Sequence, residues 1–218
     1  MRVLAVDTTS PRGSLAVADE SGPLVETRVV TETGHSRWLL PAVDEALRGL
    51  GLLPAEIDLF AVTSGPGSFT GLRVGLGSVQ GLSLASRRPC LGLPTLDVVA
   101  YSAARAAGTI VAILDAFRGE VFWAVYDGDG KLRGERSVGP LQAALASAPP
   151  GSAFVGDAVV AHRDVIEASV AGALFPEASG FLAVPLARMA LARASEAGPA
   201  AALRPVYLRG VAIRPSRA

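Results

Sequence analysis

Apolar positions fall into short runs and helical stripes that succeed one another along the chain. Arg2 to Asp7 is an apolar run closing on a carboxylate, the pattern of a buried strand. Thr8 to Gly13 has turn composition, and Ser14 to Asp19 returns as a second strand. After the turn Ser21-Gly22-Pro23, Leu24 to Thr31 alternates as a third, so the opening segment predicts a meander. Ser36 to Leu50 then predicts a helix, with Leu40, Val43, Leu47 and Leu50 on one face and Asp44 and Arg48 paired on another. Pro41 is tolerated only in a first turn, which moves the expected start later than Ser36. Leu59 to Val62 is a further buried-strand run. Pro89 to Pro94 connects to a helix capped by Thr95 or Asp97 and running to Ala107.

The second half repeats this logic. Thr109 to Asp115 is an apolar run ending in Asp, Ala116 to Gly119 turns, and Glu120 to Tyr126 returns. Asp127-Gly128-Asp129-Gly130 is a hairpin turn leading to a third strand over Lys131 to Val138. Helices are expected at Leu141 to Ser147, Asp157 to Val170 and Pro185 to Ala197, with a short strand from Ala153 to Gly156.

One stretch departs from ordinary periodicity. Val62-Thr63-Ser64-Gly65-Pro66-Gly67-Ser68-Phe69-Thr70-Gly71-Leu72-Arg73-Val74-Gly75-Leu76-Gly77 reads as strand, turn and helix. Gly65 to Ser68 has type II turn chemistry, and Ser68 is an N-cap for a helix from Phe69 to about Ser86. Gly71, Gly75 and Ser78 share one stripe of that helix, with Gly77 and Gly81 elsewhere on it. Each interior glycine costs about 1 kcal/mol against alanine, so close backbone approach is the expected return. Three readings stay open: a phosphate cradle at the helix N-terminus, tight helix-on-sheet packing, or docking of a second chain. The Gly-x-Gly-x-x-x-Gly spacing is not the dinucleotide pattern, and no Lys follows to make a P-loop.

Composition narrows the function classes. The chain has 218 residues, half of them apolar, with 20 basic and 20 acidic side chains and a formal net charge of zero. That balance argues against strong unaided binding to nucleic acid. Lys131 is the one lysine. Cys90 stands alone, so no internal disulfide forms and a reducing cytoplasm is the expected home. The start runs directly into a strand without a signal-peptide pattern, and the longest uncharged run, Ser137 to Gly156, is broken by prolines, so no membrane helix is expected.

Ser64 to Gly75 resembles the signature of the TsaB (YeaZ) family, bacterial subunits needed to make threonylcarbamoyladenosine in tRNA. The flanks agree in family order: Leu4 to Thr9, His35 to Leu47, Leu114-Asp115-Ala116 with Glu120-Val121-Phe122, and Pro205 to Arg209. Together with the duplicated pattern, this points to an α/β protein of actin-like, sugar-kinase-like ATPase architecture. Its two lobes would be residues 1–107, carrying the glycine-rich helix, and a smaller 108–218, each a mixed sheet with helices. The resemblance implies an accessory subunit without catalysis of its own. Its partners would be a TsaD-like catalytic subunit and a TsaE-like ATPase, it would meet tRNA only through the complex, and it would form a homodimer when alone. It further implies that the first two helices form the pairing surface: Trp38 and Leu39, then Phe69, Thr70, Gly71, Leu72, Arg73, Gly75, Leu76 and Ser78.

Candidate chemistry is sparse. Asp7 and Asp115 occupy positions that flank nucleotide and metal in active members of that fold, and paired carboxylates suit hydrated magnesium. The competing reading has each accept hydrogen bonds within its own turn, Asp7 from Thr8, Thr9 and Ser10. No glycines follow Asp7 to wrap a phosphate, and no Gly-Gly pair lies late in the chain, so no cofactor is expected. A kinase or ATPase using the two aspartates is the main alternative. With only His35 and His162 and one cysteine, no zinc or iron site is expected. His35 reads as a helix-start or surface residue, His162 as solvated. Position alone nominates no Ser/His/Asp set, which disfavours a protease. Arg73 suits either a neighbouring strand end or a partner carboxylate, and Trp38 either core or an interface anchor. Arg204, Arg209, Arg214 and Arg217 form a basic end, read as a solvated tail.

Overall fold

A computed structural model describes residues 1–31 and 34–208. Strands β1 (Val3–Asp7), β2 (Arg12–Asp19) and β3 (Gly22–Val30) form the expected antiparallel meander. β4 (Leu59–Thr63) and β5 (Cys90–Leu93) add in parallel, giving the order β3-β2-β1-β4-β5. A second sheet repeats the plan with β6 (Thr109–Asp115), β7 (Glu120–Asp127), β8 (Leu132–Pro140) and β9 (Ala153–Val155), in the order β8-β7-β6-β9. The architecture is that of actin-like and sugar-kinase-like proteins.

Strand periodicity sorts the core into layers. Leu4 and Val6 of β1 face α1 (Leu39–Gly49) and α2 (Phe69–Ser86), where Leu39, Val43, Leu47, Leu76 and Val79 cover them. Val3 and Ala5 point the other way, toward α3 (Thr95–Ser102) and α6 (Ala183–Ala192). That layer runs on into Ile110, Ala112 and Tyr126 of the second sheet. Val111 and Ile113 on the far side are closed by α4 (Leu141–Ala146) and α5 (Ala158–Ser169). Buried Ser14 of β2 ties α6 to the first sheet: its Oγ accepts from Leu182 N at 3.1 Å and Ala183 N at 3.0 Å. Those are orphan donors of the helix N-terminus, satisfied from another element.

Several local expectations shift. The first helix begins with a 3-10 turn at His35–Arg37 and becomes α-helical at Leu39, which puts Pro41 in its first turn. Its buried face is Leu39, Ala42, Val43, Ala46 and Leu47, whereas Leu40 is 52% exposed. Val43, Leu47 and Leu50 keep their expected side, and Leu39 takes the place of Leu40 at its N-terminal end. α3 stops at Ser102, short of Ala107, and Arg105 N instead donates to Gly128 O at 2.7 Å. The Gly65 to Ser68 turn is not type II. The Gly65–Pro66 peptide is cis, Gly67 has φ 156°, and Ser68 N donates to Thr9 O at 2.8 Å.

Candidate functional site

Two regions carry the candidate residues: a cleft between the sheets and the outer face of α2. The cleft encloses about 250 Å³. The β1–β2 turn supplies Thr9, Ser10 and Arg12, and the start of α2 supplies Gly67 and Ser68. Thr95 comes from α3, Asp115 from the end of β6, and Asp157 from the residue before α5.

Asp7 lies beneath this cleft's turn, fully buried. Its Oδ1 accepts from Thr9 N at 3.1 Å, Thr9 Oγ1 at 2.7 Å and Thr63 Oγ1 at 2.7 Å, and its Oδ2 has no hydrogen-bond partner. Burial pushes the carboxyl above the usual range, against the opposing hydrogen bonds from Thr63 and Thr9. The turn-bonded reading therefore fits Asp7, with Thr63 of the neighbouring strand in place of Thr8 and Ser10. Asp115 is exposed; its Oδ1 accepts from Phe117 N at 2.8 Å, and its own N donates to Asp157 Oδ1 at 2.9 Å. Asp157 is open to the cleft, yet the surrounding protein displaces enough water to push its carboxyl up. The cleft thus brings Asp115 to Asp157, and Asp7 is not among the residues lining it. Among the described residues, no group of three His, Cys, Asp or Glu side chains could hold a metal ion.

His35 is a helix-start residue but a buried one, not a surface one. Its Nε2 lies 2.9 Å from Ser10 O, and its Nδ1 accepts from Trp38 Nε1 at 3.0 Å. Trp38 is half-buried over Gly13, where a Cβ would fall 2.5 Å from its ring. His162 is half-buried on α5.

The α2 glycines separate into two sets. Gly71 and Gly75 are buried against Thr8, where a Cβ on either would collide with that residue. Thr8 Oγ1 donates to Gly71 O at 2.8 Å. Leu39, Leu72 and Leu76 are interior as well. Of the candidate pairing set, this leaves Phe69, Thr70 and Arg73 exposed and Trp38 and Ser78 half-exposed. The small residues that do face outward are Gly77 and Gly81, whose added Cβ would meet nothing within 4 Å. They continue a stripe from Thr70 and Arg73 to Leu84, which is 68% exposed. Arg73 stacks on the Phe69 ring at 3.9 Å, and Phe69 meets Tyr207 at 5.9 Å. The signal for this split was in the sequence: Leu72, Leu76, Val79 and Ser83 mark the inward face, and Gly77 and Gly81 lie opposite it. Phe117, by contrast, carried no sequence signal, and Asp157 carried only a weak one, as part of the Gly156-Asp157 pair before a helix. Of the basic end, Arg204 is exposed and bonds Leu203 O at 2.9 Å, whereas Arg209, Arg214 and Arg217 lie outside the described residues.

A family model described as TsaD, tRNA N6-adenosine threonylcarbamoyltransferase, matches residues 29–200. The solved structure of YeaZ from Pseudomonas aeruginosa superposes with a TM-score of 0.77 at 30% identity, covering 95% of this chain and 99% of that one. The chain belongs to the TsaB (YeaZ) family. The tRNA threonylcarbamoyladenosine biosynthesis protein TsaB of Escherichia coli is 36% identical over 146 residues. That match spans 65% of this chain and 63% of the E. coli protein. An uncharacterised Mycobacterium tuberculosis protein is 33% identical over 95% of this chain and 91% of its own. An activator of 2-hydroxyisocaproyl-CoA dehydratase from Clostridium difficile, at 11% identity and a TM-score of 0.54, shares the fold alone. No described helix of this TsaB-family chain is long and apolar enough to cross a membrane.

Proposed function

We propose that the chain is a non-catalytic subunit for threonylcarbamoylation of the adenosine adjacent to the anticodon in tRNA. It acts in the cytoplasm by binding and activating a TsaD-type catalytic subunit together with a TsaE-type ATPase. Family membership and the names of the curated relatives support the pathway. The observation that carries the docking role is the outer face of α2, where Gly77 and Gly81 offer bare backbone to solvent beside Arg73 and Leu84. Interior helix glycines cost stability, so two on a solvated face are costly to the free subunit. Close approach of a partner helix offsets that cost, and Arg73, already ordered on Phe69, supplies a charge at the rim. Exposed Leu40 of α1 adds apolar surface from the neighbouring helix. The same face closes on a second copy when the partner is missing, as self-complementary patches do. The two lobes, 1–107 and 108–218, act as the rigid frame that presents it.

Mixing with a TsaD-type subunit, followed by size exclusion with light scattering, tests this reading. A stoichiometric complex is expected. Gly77→Leu and Gly81→Leu should weaken it about tenfold or more while the free subunit melts no lower than wild type. Full pairing by both variants, or tRNA modification by the chain alone, would overturn it.

A further inference from the structure

We infer that the cleft between the sheets binds a neutral ligand through a vicinal diol, as in a nucleoside ribose or a sugar ring, rather than a magnesium-bound polyphosphate. This site is separate from the α2 face on which the proposed function rests. The first observation is charge. The cleft wall carries the two carboxylates of Asp115 and Asp157 against the single guanidinium of Arg12. Arg12 lies near enough to Asp157 for the two charges to interact, and its side chain packs against Gly180, so the wall's one cation offsets only part of its two carboxylates. A polyphosphate entering here would meet net negative charge, with no lysine lining the cleft and no metal-ligand cluster among the described residues to offset it.

The second observation is an unused hydroxyl. Thr95 lines the cavity, is 1% exposed, and its Oγ1 has no hydrogen-bond partner. A buried polar atom left in that state points to a missing partner. The carboxylates also have acceptor capacity to spare, because Asp115 uses Oδ1 for Phe117 N and Asp157 uses Oδ1 for Asp115 N. Acceptor-only carboxylates paired at a wall match two adjacent hydroxyl donors, and the Thr95 hydroxyl can serve as donor or acceptor to a third group. The third observation is the opposite wall. Val99, Leu114 and Leu182 supply apolar surface, and the Phe117 ring, 59% exposed, also lines the cleft. Phe117 and Arg118 hold φ of 60° and 58°, in the left-handed region, so the chain bears local strain to keep that ring in the cleft wall. An aromatic ring in an acid-lined cavity of about 250 Å³ suits a ring bearing hydroxyls.

Calorimetry on the full chain with adenosine, methyl glucoside, 2′,3′-dideoxyadenosine and magnesium ATP decides it. Saturable binding of adenosine or of methyl glucoside is expected, and whichever binds identifies the source of the diol. Dideoxyadenosine should bind about tenfold or more weakly than adenosine if the ribose is recognised, and Asp157→Asn should weaken the binding diol by a similar factor. Thr95→Val, nearly isosteric, should weaken it less while the protein melts as a folded unit. Magnesium ATP binding tighter than adenosine, equal affinity for adenosine and its dideoxy form, or no binding of either diol would overturn the inference. None of these outcomes bears on pairing through α2, which the light-scattering experiment reads separately.

Discussion

Thr8 fixes what the α2 glycines can do. Its carbonyl and hydroxyl occupy the space that side chains on Gly71 and Gly75 would need, and its Oγ1 bonds the Gly71 carbonyl. Gly71→Ala should therefore destabilise the protein by about 1–3 kcal/mol through overpacking against backbone that cannot retreat. Gly77→Ala, in open space on the same helix, should stabilise it by up to about 1 kcal/mol through helix propensity. Urea unfolding of the two variants reads both signs in one experiment. Asp7 gives a second residue-level test. Its folded-state carboxyl titrates above its unfolded value because burial disfavours the charge. The native state consequently binds more protons over that interval. Stability from this group falls as pH rises through the unfolded value to the raised folded value, and stays lower above it. Asp7→Asn should flatten that share of the pH dependence, so urea midpoints of wild type and variant should converge on acidification and differ most near pH 7.

At the scale of the element, α2 presents two different helices to its two sides. Inward, Leu72, Leu76 and Val79 seal the sheet; outward, the small stripe leaves backbone uncovered. Its start is held by Ser68, whose Oγ accepts from Gly71 N at 3.3 Å. Ser68→Ala should cost about 1 kcal/mol, visible as a lower urea midpoint with an unchanged slope. Because the cap lies at the end that meets the cleft and the exposed stripe begins within the same first turn, fraying here would disturb both surfaces. α1 shows how local chemistry moves a face. Pro41 and the preceding 3-10 turn delay the helix, and Leu39 rather than Leu40 enters the core. The exposed Leu40 is then available to a partner at no cost to packing.

For the molecule as a whole, the two sheets are joined by a polar clasp inside a largely apolar layer. Arg136 of β8 donates from Nε to Asp97 Oδ1 at 2.8 Å and from Nη2 to Asp97 Oδ2 at 2.6 Å. Tyr126 of β7 donates its hydroxyl to Asp97 Oδ1 at 2.8 Å, and burial together with that carboxylate pushes the phenol up. The bidentate geometry fixes orientation between α3 and the second sheet. Arg136→Met should lose about 2–3 kcal/mol, less than for a fully enclosed pair because Arg136 keeps some water contact. Adding Asp97→Asn should recover part of that loss in a double-mutant cycle, since the stranded carboxylate is then gone.

The sequence by itself determined the succession of strands and helices, the duplicated plan and the family. These follow from period-two and period-3.6 patterns, turn residues and a long local motif, all of which are nearest-neighbour properties of the chain. It also placed the Ser68 cap and both ends of α2. The helical period already separates the Gly71 side from the Gly77 side; only the tertiary structure decided what lies against the inward one, because Thr8, 63 positions from Gly71 along the chain, is brought there by the fold. It likewise paired Asp115 with Asp157 instead of Asp7, and Asp97 with Arg136. Those partners are brought together by sheet order and by the packing of helices against the two sheets, and separation along the chain carries no record of such contacts.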